Sequence, residues 1–253
     1  MGQHCVDCIA QEAAAVRVDP TAPAAGGANA TPYVTYSLIA VNLAIFVACL
    51  LQARGVDLVR SSIMTTGFLP TGFNLDFEYW RLLTSGFLHW SVTHIAVNMI
   101  SLYIVGRDLE RLFGPARYLT IYVTSLLGGS AAVLALQHSP ALTAGASGAI
   151  YGLMGALLVV VVRLKLPTTS VLLVIGFNII LSWTIPGISL WAHLGGLVFG
   201  ALGALAVLWV PVVTLAPEQR TMAKVTRVGW FGLGALLLIA LAAGVGLVTS
   251  LSL

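Results

Sequence analysis

Apolar stretches separated by short polar connections account for most of this 253-residue chain. Seven stand out, at about residues 34–53, 92–113, 117–137, 147–164, 168–184, 189–210 and 228–251. A helix needs roughly 20 apolar residues to cross a bilayer. Each stretch therefore predicts a transmembrane helix, the fourth and fifth being short. Longer connections occur only in the N-terminal tail, at 54–91 and at 211–227. Residues 1–31 contain no apolar core of a signal peptide. The pattern predicts an all-α polytopic membrane protein, one integral membrane unit rather than a string of soluble domains.

Composition agrees with the pattern. Hydrophobic residues make up 58% of the chain and charged residues 8%, with mean hydropathy +0.97; a soluble domain carries about 25% charged residues. The charges also set an orientation. With the N-terminus inside, Arg17, Arg107, Arg111, Arg117, Arg163, Lys165, Arg220, Lys224 and Arg227 all fall on the inner side. Only Arg54, Arg60 and Arg81 of the 12 basic residues fall outside. This asymmetry follows the positive-inside rule and predicts a cytosolic N-terminus and an outer C-terminus. The net charge of +3 thus reflects topology, and no basic cluster interleaved with aromatics points to nucleic acid.

The three cysteines make no disulfide framework. Cys49, inside the first span, reads as a small packing residue. His4, Cys5 and Cys8 supply half a zinc site at most, because a structural site takes four ligands. An incomplete knuckle, or no metal at all, is the expectation. Residues 20–32, rich in Pro, Ala and Gly, read as a flexible linker.

Polar groups inside spans are costly and commonly functional. With the predicted topology, the second, fourth and sixth helices all enter from the outer face. His94 and Asn98 then lie near the outer end of the second, Ser147 begins the fourth, and His193 sits one turn into the sixth. Four polar side chains from three helices share one depth. Gly148, Gly152 and Gly155, with Gly196, Gly200 and Gly203, supply small residues that let the fourth and sixth helices approach closely. Chance alone would give roughly 0.16 Gly-x-Ser-Gly motifs at this composition, and a lone histidine in a span is as easily a packing residue. Joint placement carries the weight. A hydroxyl beside an imidazole is the nucleophile–base pair of a serine hydrolase. No Asp or Glu lies in a span near His193; Asp76 and Glu78 are on the outer 54–91 loop and could approach it only from there. The economical arrangement is a Ser147–His193 dyad. His94 and Asn98, one helical turn apart, could donate to an oxyanion beside the Ser147 backbone N–H.

These residues resemble a rhomboid intramembrane serine protease over about residues 33–210. The motifs are Trp80-Arg81, His89 followed by His94-Ile95-Ala96-Val97-Asn98, Gly145-Ala146-Ser147-Gly148, and Ala192-His193-Leu194-Gly195-Gly196-Leu197-Val198-Phe199-Gly200. The resemblance implies a six-helix rhomboid core over 33–210; the cytosolic tail and linker over 1–32 precede it, and a cytosolic link with a seventh helix over 211–253 departs from it as a six-plus-one arrangement. It implies Ser147 as nucleophile and His193 as general base, with His94, Asn98 and Gly145 at the oxyanion site. Tyr151 matches a ring stacked on the catalytic histidine, its alternative being an ordinary core tyrosine. His89 matches a histidine that organises water or the entrance of the second helix. Loop 54–91 would lie partly in the outer leaflet, and the fifth helix with the link 184–189 would form a mobile gate. The implied activity is an endopeptidase of the plasma membrane, without metal or cofactor, acting on single-pass or other transmembrane protein substrates near the outer face. A catalytically dead relative would typically have lost the serine or the histidine. A transporter would show inverted repeats, and no convincing repeat is visible.

Overall fold

The computed structural model describes residues 30–253; His4, Cys5, Cys8 and nearly all of the predicted linker lie outside them. Seven long helices follow in order: α1 (Tyr33–Ala53), α2 (Val92–Phe113), α3 (Pro115–Leu136), α4 (Ser147–Arg163), α5 (Thr169–Thr184), α6 (Leu190–Leu208) and α7 (Met222–Leu251). Four of them (α1, α3, α6 and α7) are long and apolar enough to cross a membrane by themselves. The segment Arg81–Phe87 and α2 meet at a bend of 94° and make a fifth if the pair is counted as one span. With 17 and 16 residues, α4 and α5 span only about 24–26 Å at 1.5 Å per residue. For α4 the shortfall matters little, because most of its residues are buried against protein rather than lipid.

Local chemistry explains where the helices begin and end. Ser91, Ser189 and Thr221 cap α2, α6 and α7, each side-chain oxygen accepting a first-turn backbone N–H. Gly114, at φ 78°, stops α2, and Pro115 starts α3 where its missing N–H costs nothing. The α1 N-terminus is capped from a distance: the buried Glu110 carboxylate on α2 accepts from the Val34 and Thr35 backbone N–H groups (2.9 and 2.8 Å) and from Thr35 Oγ1 (2.7 Å).

Packing centres on α3, α4 and α6. A β-carbon at Gly196 would overlap the Gly148 carbonyl, and one at Gly200 would overlap that of Gly152. The two backbones therefore touch along the glycine seams of α4 and α6. On α3, Gly128 and Gly129 admit Phe199 and the Ala192 carbonyl in the same way. Helix α7 lies against α3 and α6, with Gly229 and Gly232 beside Val207 and Ala206.

The 54–91 segment folds into short helices fastened by side chains. Arg81 donates to the carbonyls of Thr65 and Phe68 (3.0 and 2.8 Å) and pairs with Glu78; Trp80 Nε1 donates to the Thr66 carbonyl at 3.0 Å. One element has no counterpart in the apolar pattern. Leu69–Thr71 (β1) pairs antiparallel with Ala141–Thr143 (β2), Leu69 opposite Thr143. That ribbon ties the first loop to the strand that leads into Gly145.

Candidate active site

The chain arrives at α4 through Gly145, whose φ of 142° is open to glycine and strained for other residues. Its N–H donates to the Ser85 carbonyl at 2.9 Å, which holds the turn against the Ser85–Phe87 segment. A side chain there would press on Cε1 and Nε2 of His94, both 2.9 Å away, and would stand 3.5 Å from Ser147 Oγ. His94 and Ser147 thus face one small gap. Ser147 is the first residue of α4, so backbone N–H groups without helical partners and the positive end of the helix dipole surround its hydroxyl.

Across the glycine seam stands His193. Its Nε2 is 2.7 Å from Ser147 Oγ. The imidazole is buried and stacks face to face on Tyr151, with centroids 3.9 Å apart and planes inclined by 11°. The stack blocks rotation of the ring away from Ser147. Tyr151 lies four residues after Ser147 on the same helix, so one element sets both the hydroxyl and the platform beneath its partner.

His94 and Asn98 occupy successive turns of α2. Asn98 Nδ2 donates one hydrogen bond to the His94 carbonyl at 2.9 Å and keeps a second N–H. His94 Nδ1 faces the Trp90 N–H at 3.4 Å, which leaves the Nε2 side turned toward Gly145. His89 packs edge-on against His94, centroids 5.0 Å apart, and is almost fully buried. Residues from α2, α4, α5 and α6, Ser147 and His193 among them, line an open cleft of about 1010 Å³. Among the described residues, no group of three or more His, Cys, Asp or Glu is placed to hold a metal.

Residues 76–210 match the family model described as Rhomboid domain. The chain belongs to the rhomboid family. It is 34% identical over 224 residues to the rhomboid protease GluP of Bacillus subtilis, a match covering 85% of this chain and 40% of GluP. It is 32% identical over 179 residues to YdcA of the same organism, covering 68% of this chain and 86% of YdcA. It is also similar to Inactive RHOMBOID-like protein 8 of Arabidopsis thaliana, 33% identical over 150 residues covering 56% of this chain and 42% of that one. A rhomboid can therefore be named inactive, so activity depends on the residues at the site.

Every site residue expected from the sequence is in this neighbourhood. Glu78, a carboxylate of the 54–91 loop, is instead paired with Arg81. One residue of the neighbourhood escaped sequence reasoning. Ser182, in the last turn of α5, places its Oγ 2.7 Å from His193 Nδ1 and 3.0 Å from the Tyr151 hydroxyl. A single serine in an apolar helix carries no periodic or motif signal. Only its distance of eleven residues from His193, across the Pro186-Gly187 turn, hints that the two could meet.

Proposed function

We propose that this multi-pass membrane protein is an intramembrane serine endopeptidase that cuts transmembrane segments of membrane proteins near the outer face. The observation carrying this reading is the 2.7 Å approach of Ser147 Oγ to His193 Nε2, made where a cleft of about 1010 Å³ opens. His193 takes the Ser147 proton as Oγ attacks the peptide carbonyl. The oxyanion is held by the Ser147 N–H, with His94 and Asn98 beside it, and His193 returns the proton to the leaving amine. Water then hydrolyses the acyl-enzyme, with His193 again as base. A helical substrate hides its carbonyls in its own hydrogen bonds, so the segment must unwind locally before Ser147 can reach one.

In this reading residues 33–210 form the catalytic core and the segment 211–253 appends the seventh helix. The protein sits in the plasma membrane with its N-terminus cytosolic and its C-terminus outside, as its Lys and Arg distribution supports. Purified protein in detergent should cleave a model transmembrane substrate, and Ser147→Ala and His193→Ala should each abolish cleavage. Full activity in either variant would sink the dyad. A C-terminal reporter should be active only outside the cytosol, and a cytosolic signal would reverse the orientation.

A further inference from the structure

The Ser147–His193 pair needs more than proximity. His193 can act as base only when its Nε2 lone pair, and not an N–H, points at Ser147 Oγ. In a serine protease with a full triad, a carboxylate on the other ring nitrogen imposes that tautomer. Here that nitrogen faces a hydroxyl.

Hydrogen-bond counting around Ser182 decides which way its bonds run. The hydroxyl has one proton and two lone pairs. Three partners surround it: the Asn178 carbonyl at 2.7 Å, His193 Nδ1 at 2.7 Å and the Tyr151 hydroxyl at 3.0 Å. The carbonyl can only accept, so the Ser182 proton goes there. Both lone pairs are then left to accept, one from the His193 Nδ1–H and one from the Tyr151 O–H. All partners are satisfied only when His193 carries its proton on Nδ1, which turns the Nε2 lone pair to Ser147.

We infer that Ser182 is a positioning residue, fixing the base-competent tautomer and ring orientation of His193 from α5 in place of an acidic third member. The inference rests on the Ser147–His193 reading. It also gives α5 a part in the chemistry. Ser182 and Ile175 are the only buried residues of this helix, whereas Phe177, Ile180 and Trp183 are exposed. The helix is thus held to the bundle by little besides the Ser182 network near the site. When α5 moves away from α6, His193 loses its Nδ1 acceptor, so full activation of Ser147 requires α5 to be seated.

The test compares Ser182→Ala, Ser182→Cys and Ser182→Thr with the parent in detergent, using a small fluorophosphonate and a model transmembrane substrate. The fluorophosphonate needs an activated Ser147 but no helix to enter between α2 and α5. We expect Ala and Cys to slow its second-order labelling rate about tenfold, the effect of losing one hydrogen bond worth about 1.4 kcal/mol. The kcat for the substrate should fall alongside with KM little changed, and Thr, which keeps the oxygen, should label near the parent rate. Cysteine is close to serine in size but a weak acceptor, so it separates lost packing from a lost hydrogen bond. Parent-like labelling by Ala and Cys would overturn the inference, as would a Thr variant no faster than Ala. The Ser147→Ala control separates the two readings. If it still labels, the dyad itself has failed; if it is silent while Ser182→Ala matches the parent, only the role of Ser182 has failed.

Discussion

Gly196 packs against the carbonyl oxygen of Gly148 with no space for a β-carbon, three residues beyond His193 on one helix and one residue beyond Ser147 on the other. The contact between backbones thus sits directly beside the contact between side chains. Gly196→Ala should push α6 from α4, cost about 1–3 kcal/mol by overpacking, and misplace His193. A displacement near 1 Å can cost about a hundredfold in rate. We expect a fall of that order in cleavage, with a lower melting temperature in detergent. Gly246→Ala on α7, where the added methyl meets nothing within 4 Å, should leave both unchanged.

Loss of the α2 donors should affect the chemical step more than binding. Removal of one oxyanion donor lowers kcat by about 10²–10³ in a soluble serine protease. His94→Ala and Asn98→Ala should each lower kcat at least tenfold. The larger effect is expected for His94, since Asn98 spends one N–H on the His94 carbonyl. Steady-state cleavage across substrate concentration separates kcat from KM. A pure KM effect would remove both residues from the oxyanion site.

Tyr151 offers His193 a ring and Ser182 a hydroxyl, and the two contributions can be separated. Tyr151→Phe keeps the stack and loses the hydrogen bond to Ser182, so a loss of a few-fold is expected. Tyr151→Ala removes a stack worth about 0.5–1.5 kcal/mol and frees the imidazole to rotate, so it should lose far more. Equal rates for the two variants would argue against the stack as the restraint on His193.

At the end of α2 remote from the Ser147–His193 pair, Glu110 should matter for stability alone. Glu110→Ala leaves three donors of α1 without their acceptor, at about 1–3 kcal/mol for each that stays buried. A drop of several degrees in melting temperature is expected, with the fluorophosphonate labelling rate of the folded fraction preserved. Thermal unfolding followed alongside labelling checks both.

Helix α7 has a visible foothold on loop 54–91. Ser252 Oγ accepts the Phe77 N–H at 2.9 Å, and Thr249 Oγ1 lies 3.1 Å from the Tyr79 hydroxyl. Gly244 on the same helix packs on Leu82. Truncation before residue 240 should loosen loop 54–91, read as faster limited proteolysis around residues 73–80. An unchanged digestion pattern would deny α7 that function.

Much of this was present in the one-dimensional pattern. Long apolar runs must become helices in lipid, because every backbone polar group has to be satisfied within the segment. Small residues at spacing four mark where two such helices touch, and costly polar residues at a shared depth mark a site. Those rules placed His94, Asn98, Ser147 and His193 together, and the motif around Gly145 added the turn. They are local or periodic signals, which is why they survive in a sequence. The partner of His193 Nδ1 is neither. Ser182 reaches the imidazole because the turn at Pro186-Gly187 folds α5 back along α6, and a single hydroxyl leaves no trace of that path. The β1–β2 ribbon, the capping of α1 by Glu110 and the fastening of Phe77 by Ser252 join residues 70 to 175 positions apart. Such pairings depend on how the helices are packed, so only the tertiary structure decides them.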